Sequence, residues 1–274
     1  MRWIFSLATI LVLSMAPMAQ PASEPVDLEL ILAVDVSGSI DPDEARMQRE
    51  GYIAAFSSPQ VIDAIRHGFH GRIAVLYFEW AGLGYNRLLA DWSVIHDAAS
   101  AAAFRTILER TPPERMPRTS ISQAIDYALP QFARSGHQGK RRVIDISGDG
   151  PNNWGRSVTE ARDEAVAAGI TINGLPIVND RPSFGSPQAA NLDLYYTDCV
   201  IGGPSAFIIV AQGFEDFARA VRRKLILEIA GRTPEEMPEA VRFADLDGGW
   251  IEAQNRQSRV APACGNEIRR FLDN

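Results

Sequence analysis

Four runs of strand length, separated by segments of helical character, constrain the fold of this chain more than any other feature. The first run, Leu28–Val34, is apolar without alternation, which is typical of a strand buried on both faces of a parallel sheet. Because strands and helices alternate along most of the chain, the sequence predicts an α/β fold with a doubly wound, mostly parallel sheet and helices on both faces. The other three runs are Arg72–Trp80, Arg142–Ser147 and Ile170–Ile177.

Two further strands and five helices complete this prediction. Leu88–Val94 is shorter and more polar, which favours an antiparallel edge strand, and Ala206–Val210 is predicted to be the last strand. A long loop is expected over Asn179–Ala190, followed by a short helix. The predicted helices are Asp41–Phe56, Ala98–Glu109, Ser120–Ala133, Ser157–Ala168 and Phe214–Ala230. Three of them begin with a capping box, formed by Asp41 with Glu44, Ser120 with Gln123, and Ser157 with Glu160.

Length and charge limit the classes of protein that this chain can belong to. With 274 residues, 46% of them hydrophobic, it can form one large domain that needs no disulfide or metal to fold. The net charge is −7 and no long run of like charge occurs, so nothing indicates a nucleic-acid partner. The simplest interpretation of the acidity is solubility.

The amino terminus resembles a targeting segment. Arg2 precedes an apolar stretch, Ile4–Met15, and a small, helix-breaking segment, Pro17–Ser23, follows it. We therefore predict a signal peptide over residues 1–23, a domain over residues 26–230 and an extension over residues 231–274 with one short helix near Glu267–Leu272. The expected location is periplasmic or secreted, with no membrane span after the signal is removed. An uncleaved anchor is the alternative.

The chain has two cysteines, Cys199 and Cys264. In an exported protein two cysteines can pair, and the bridge would then tie the extension to the domain. Two unpaired thiols are an equally good prediction from the sequence.

Oxygen-bearing side chains follow two of the predicted parallel strands and precede a predicted helix. Asp35, Ser37 and Ser39 come directly after the first strand, Asp149 follows the strand from Arg142, and Thr119 lies before the helix from Ser120. Because ligands of such sheets bind beyond the carboxyl ends of the strands, the three loops can meet at one edge. Together they offer three hydroxyls and two carboxylates.

This set of oxygens suits a hard divalent cation. Mg²⁺ takes six oxygen ligands and keeps some waters, whereas zinc prefers His or Cys. The prediction is therefore Mg²⁺, with Mn²⁺ or Ca²⁺ as alternatives. If the carboxylates act through water, the direct ligands are neutral and the cation can still take an anion, such as a carboxylate from a protein partner.

The same residues resemble the metal-ion-dependent adhesion site (MIDAS) of von Willebrand factor type A domains. The matching positions occur in the order of that family and the resemblance covers about residues 26–230. Several stretches, including RRVIDISGDGPNN, GITINGLPI, CVIGGP and RRKLILEIAG, look like an uncharacterised exported bacterial family, domain of unknown function 1194. The resemblance implies metal ligation by Ser37, Ser39 and Thr119, with Asp35 and Asp149 often acting through water.

The resemblance implies a binding protein and not an enzyme, with one departure from the family pattern. Glycine commonly precedes the threonine in this family, but Arg118 stands there in this chain. A long basic side chain beside the metal could block the open position or help to hold an acidic ligand.

Two other functions are alternatives. The first is a metal-dependent phosphoester hydrolase, because Asp35 follows the first strand as in haloacid-dehalogenase-like enzymes; however, Ser37 occupies the place of the second aspartate those enzymes need. The second is a structural or assembly subunit with a non-functional metal site.

Two other motifs in the sequence are incomplete. His67 and His70 have a metal-like spacing but no further ligand beside them, and Gly82-x-Gly84 lacks the third glycine of a dinucleotide loop.

Overall fold

The computed structural model of the protein describes residues 24–178, 191–236 and 263–265. The predicted signal peptide, the predicted loop over 179–190, the predicted helix near Glu267–Leu272 and most of the extension over 231–274 lie outside the described residues.

A six-stranded sheet forms the centre of the domain, with the strand order β4-β3-β2-β6-β7-β8. All neighbouring strands are parallel except β4, which pairs antiparallel with β3 at one edge. The doubly wound, mostly parallel α/β fold is therefore confirmed, as is the antiparallel edge strand. The strands are β2 (Leu28–Asp35), β3 (Ile73–Trp80), β4 (Asn86–Ile95), β6 (Arg142–Gly148), β7 (Thr171–Val178) and β8 (Ala211–Gln212). A separate two-stranded parallel sheet joins β1 (Glu24–Val26) to β5 (His137–Gly139).

Helices cover both faces of the sheet. They are α1 (Pro42–Ala55), α2 (Pro59–Arg66), α3 (Ala98–Arg110), α4 (Ile121–Ala133), α5 (Val158–Ala167), α6 (Leu192–Tyr195) and α7 (Phe217–Ala230), with a π-helical turn over Tyr196–Val200 and a 3₁₀ turn over Pro234–Glu236. The apolar side chains of β2 alternate between two cores, with Leu30 and Leu32 on one face and Ile31 and Ala33 on the other. Because both faces are buried, the strand shows no alternation in its sequence.

Helix capping agrees with the sequence at α1 and differs at α5. Asp41 and Glu44 form the predicted box at the start of α1. Ser157 makes no capping hydrogen bond to α5; its hydroxyl lies 2.7 Å from the hydroxyl of Thr159. That predicted box is therefore wrong, because the local hydroxyl partner replaces the backbone one.

The last strand also differs from its prediction. Residues 206–210 make only an isolated bridge, Gly174 to Ile208, and the regular ladder is Ala211–Gln212 against β7. The backbone N–H of Phe207 donates to the side-chain oxygen of Asn173 at 3.0 Å, so a side chain takes a donor that a ladder would use. Because the side chain of Asn173 takes this backbone donor, the regular strand forms later in the chain than predicted, at Ala211–Gln212.

A disulfide joins Cys199 to Cys264, with the Cα atoms 5.4 Å apart. Of the two outcomes that the sequence left open, the structure has the paired one. Within the described ranges, no helix is both long and apolar enough to span a membrane.

Candidate metal centre

The five predicted ligands lie at the carboxyl edge of the central sheet, and we call them the edge cluster: Asp35, Ser37, Ser39, Thr119 and Asp149. The hydroxyl of Ser39 donates to Oδ1 of Asp149 at 2.6 Å and lies 3.1 Å from the hydroxyl of Ser37. The backbone N–H of Ser37 donates to Oδ1 of Asp35 at 2.7 Å. Thr119 faces the same loop, since a Cβ built on Gly150 would lie 3.9 Å from its Oγ1.

The two carboxylates of the edge cluster are poorly compensated. Asp35 is fully buried, and its Oδ2 has no hydrogen-bond partner among the described atoms. Burial, and then the negative charge of Asp149, hold the pKa of Asp35 well above its ordinary value, and burial also raises the pKa of Asp149. Within the described part of the chain no lysine or arginine pairs with either group. The edge cluster thus offers hydroxyl and carboxylate oxygens, one of which has no hydrogen-bond partner among the described atoms. Oxygens of these two kinds are the ligands that hard divalent cations prefer.

The loop before α4 is attached to the loop after β2 by its backbone. The N–H of Met116 donates to the carbonyl of Val36 at 3.0 Å, and Ser37 and Met116 form an isolated parallel bridge. The guanidinium of Arg115 donates to the carbonyl of Gly38. These bonds hold the threonine loop against the serine loop, which brings Thr119 to the edge cluster.

Two asparagines attach the loop after β6 to Thr119 and to the start of α4. Asn153 bonds Thr119 reciprocally: its Oδ1 accepts from the N–H of Thr119 at 2.9 Å, and its own N–H donates to the carbonyl of Thr119 at 2.9 Å. Oδ1 of Asn152 accepts from the N–H of Ser122 at 3.0 Å. These bonds position the loop that carries Thr119.

Tyr196 lies beneath the edge cluster, and nothing in its local sequence identified it as part of the site. A Cβ on Gly148 would lie 2.8 Å from Oδ2 of Asp35 and 2.9 Å from the hydroxyl of Tyr196, so Gly148 lets both groups approach. Tyr196 is fully buried, and its burial and the charge of Asp35 raise the pKa of its phenol. It comes from the π-helical turn, far from the motif in sequence, and only the fold places it here.

Arg118 adopts the left-handed backbone conformation, with φ +68°, which is the region that glycine favours. Its carbonyl accepts from the N–H of Gly82 at 2.7 Å. Its guanidinium carbon lies 5.8 Å from the centre of the Trp154 ring, a cation–π distance. The arginine thus adopts a backbone conformation that glycine favours and directs its side chain towards the tryptophan.

The other metal-like spacing gains no support. Across the described ranges, no group of three or more His, Cys, Asp or Glu side chains could hold a metal ion. The ring of His67 bonds the carbonyl of Asp63 in its own helix. The edge cluster does not depend on such a group, since three of its five members carry hydroxyls.

The fold is similar to that of several solved structures. Proximal thread matrix protein 1 from the mussel byssus, solved with a zinc-occupied MIDAS motif, is 13% identical over 76% of this chain and 46% of its own, with a TM-score of 0.52. The pilus adhesin SpaC from Lactobacillus rhamnosus GG is 13% identical over 77% of this chain and 30% of its own, with a TM-score of 0.54. A von Willebrand factor type A structure from Catenulispora acidiphila is 13% identical over 76% of this chain and 43% of its own, with a TM-score of 0.48.

The chain thus spans less than half the length of each of these proteins. At this level of identity the first two likenesses show a shared fold, which is von Willebrand factor type A-like. No curated protein sequence matches the chain. Residues 25–233 match the model of one family, described as "Protein of unknown function (DUF1194)".

Proposed function

The chain belongs to the DUF1194 family, and from the geometry of its edge cluster we propose that it is an exported recognition protein that binds a protein partner through a divalent cation. The observation that carries this proposal is a pair of carboxylates, the buried Asp35 and the partly buried Asp149, which no cation compensates within the described residues. An external cation would supply the missing positive charge, and a water bound to it would donate to the unused Oδ2 of Asp35.

The proposed cation is Mg²⁺, with Mn²⁺ and Ca²⁺ as alternatives. Ser37, Ser39 and Thr119 would offer neutral hydroxyl oxygens, and Asp35 and Asp149 would supply the charge. With neutral direct ligands the cation keeps affinity for another anion. A carboxylate on the partner is the anion we propose for that position.

Export is the second part of the proposal, and the disulfide supports it. Disulfides persist in oxidising compartments and are rare in the cytosol. The bridge between Cys199 and Cys264, together with the predicted signal over residues 1–23, favours a periplasmic or secreted protein.

We propose binding without turnover. Ser37 stands where a haloacid-dehalogenase-like enzyme would need its second aspartate, and its hydroxyl lies against Ser39. The stacking of Arg118 on Trp154 gives the arginine side chain a place outside the edge cluster, which favours an open metal position over a blocked one.

Calorimetry of the mature protein with MgCl₂, MnCl₂ and CaCl₂ tests the metal site. We expect one saturable site that disappears in Asp35→Ala plus Asp149→Ala. The matched control is Asp63→Ala plus Asp163→Ala, which removes the same charge from exposed positions on α2 and α5. No binding of any of the three ions, or equal binding by the site variant, would contradict the proposal.

Capture from an envelope extract tests the partner. We expect a protein retained in Mg²⁺, released by EDTA and absent with the variant that lacks both site aspartates. Retention that is unaffected by EDTA and by that variant would place the contact elsewhere and contradict a cation-mediated interaction.

A further inference from the structure

Arg118 is the arginine on the rim of the edge cluster whose charge is left without an acidic partner. Arg87 pairs with Glu114 at 2.7 Å, and the guanidinium of Arg115 is taken by the carbonyl of Gly38. The side chain of Arg118 is exposed, stacks on Trp154 and makes no ion pair with any described residue. A cation in this state beside a predicted metal ligand is available to an anion from outside.

The position of Arg118 is enforced by the fold. A Cβ on Gly82 would lie 2.2 Å from the Cβ of Arg118, so a glycine is needed opposite the arginine. The backbone bond from Gly82 to Arg118 and the reciprocal bonds from Asn153 to Thr119 hold the two peptides on either side of the arginine. Its left-handed backbone is strained for a residue with a Cβ, and such strain persists where the surroundings enforce it.

We propose that Arg118 and Trp154 form a second anion-binding position beside the metal, so that the partner presents two neighbouring carboxylates. One carboxylate completes the coordination of the cation and the other takes the planar guanidinium fork, which matches carboxylate geometry. Trp154, 36% exposed, orients the guanidinium from one side. This inference rests on the proposed function, because the first carboxylate needs the metal.

The test uses two peptides, acetyl-Gly-Asp-Gly-amide with one carboxylate and acetyl-Gly-Asp-Asp-Gly-amide with two. Affinities are measured by NMR titration of the ¹⁵N-labelled mature protein in MgCl₂, and the indole N–H of Trp154 reports contact at the rim. We expect the two-carboxylate peptide to bind about tenfold more tightly: roughly twofold from having two acids for the metal, and about fivefold from the exposed ion pair.

Arg118→Ala should reduce that ratio to about twofold and leave the affinity for the one-carboxylate peptide unchanged. Arg118→Lys should give an intermediate ratio, because it keeps the charge and loses the fork. Arg66→Ala, an exposed arginine at the end of α2, is the matched control and should keep the full ratio.

The outcomes separate this inference from the proposed function. If the one-carboxylate peptide binds in Mg²⁺ and is released by EDTA, but Arg118→Ala leaves the ratio unchanged, the second position is wrong and the metal-mediated function stands. If neither peptide binds in Mg²⁺, the cation does not accept carboxylates, which contradicts both the proposed function and the second anion-binding position. A shift of the Trp154 indole with the two-carboxylate peptide alone supports the second position.

Discussion

The edge cluster and a second group, the buried trio of Asp145, Lys224 and Glu228, each bring two carboxylates close to the central sheet. In the trio, Nζ of Lys224 lies 2.5 Å from Asp145 and 2.6 Å from Glu228, and all three side chains are buried. Asn173 donates a further hydrogen bond to Glu228 at 2.8 Å. The trio carries its own cation, whereas the edge cluster has hydroxyls where the trio has a lysine.

The presence of a lysine in the trio and its absence from the edge cluster indicate different roles for the two groups. The trio joins β6 to α7 and is closed to solvent, so its charges serve the fold. The edge cluster lies at the end of the strands, where Ser39 and Asp149 are only partly buried, and no lysine or arginine among the described residues neutralises its negative charge. A pair of acids that the protein itself does not compensate is therefore the better indication of a binding site.

The largest expected effect is on the trio. Lys224→Met leaves Asp145 and Glu228 buried together without a cation and should lower the free energy of unfolding by about 3–5 kcal/mol. Urea denaturation measures this loss. Arg219→Met, which removes a cation from the more exposed pair with Asp216 on the same helix, should cost about 1 kcal/mol or less. Equal losses in the two variants would contradict the distinction between the trio and ordinary ion pairs.

The second effect is a pH dependence. Burial and then Glu228 raise the pKa of Asp145 from 3.8 to about 7, although Lys224 opposes them. The folded state therefore holds this proton more tightly than the unfolded state, so the cost of ionising Asp145 is full above about pH 7 and absent below about pH 4. Lowering the pH from about 8 to about 5 should stabilise the fold through this group by about 3 kcal/mol, because about two of the pH units lie below the folded pKa.

Asp145→Asn should remove this gain, as measured by urea denaturation at each pH. Saturating Mg²⁺ throughout the series holds the carboxylates of the edge cluster in their ionised, metal-bound form if the proposal is right. A pH profile that is the same in Asp145→Asn as in the natural protein would contradict the assignment.

The third effect belongs to the edge cluster. At a Mg²⁺ concentration one hundred times its dissociation constant, the free energy of unfolding should rise by about 2.7 kcal/mol, and EDTA should remove the gain. Asp35→Asn plus Asp149→Asn should abolish the response, and should not be destabilising in EDTA because it removes two neighbouring charges that no described cation compensates. Thermal melts with and without Mg²⁺ measure both. If Mg²⁺ still stabilised the double variant, the cation would bind elsewhere, and the proposed role of Asp35 and Asp149 would be contradicted.

A smaller effect is expected where the ligand loop is positioned. Asn153→Ala removes the acceptor for the N–H of Thr119 and should weaken Mg²⁺ binding about tenfold, as losses of supporting bonds around metal sites do. Calorimetry measures the affinity, and a urea titration checks that the variant is folded. An unchanged Mg²⁺ affinity would show that Thr119 is held without Asn153.

The smallest effect concerns backbone strain at the rim. Arg118→Gly should raise the free energy of unfolding by about 1 kcal/mol, because glycine adopts φ +68° without the clash of a Cβ. Leu83→Gly, at φ +57° in the exposed turn of the same rim, is the matched control and should give a similar gain. Destabilisation in Arg118→Gly alone would show that the stacking on Trp154 contributes more than the strain costs.

Most strands of the sheet could be predicted because they are apolar runs, and this signal is contained in the local sequence without reference to contacts distant in the chain. The metal-site prediction came from a motif whose residues follow strand ends, and the structure brings all five to one edge. By contrast, α2 was missed although Ser58 and Pro59 mark its start and Val61, Ile62 and Ile65 form its buried face. That signal was present in the sequence.

Other features depend on contacts that no local pattern encodes. Tyr196 reaches Asp35 only because the π-helical turn packs against β7, and Asn153 reaches Thr119 only after two loops meet. The side chain of Gln123 was predicted to cap α4, but its Oε1 accepts from the N–H of Gly84 in the β3–β4 turn at 3.0 Å. In each case a partner distant in sequence takes the bond that a local interpretation assigns elsewhere.

The disulfide has a mechanical consequence if the protein binds its partner at the strand ends, as proposed. Tension applied to the chain beyond Cys264 reaches the domain at Cys199, which is buried beside α5 and β7. The two cysteines are 65 positions apart in the sequence, and the loop that they close contains β8 and α7, so these elements bear little of the applied force. Both β8 and α7 are therefore shielded from the force.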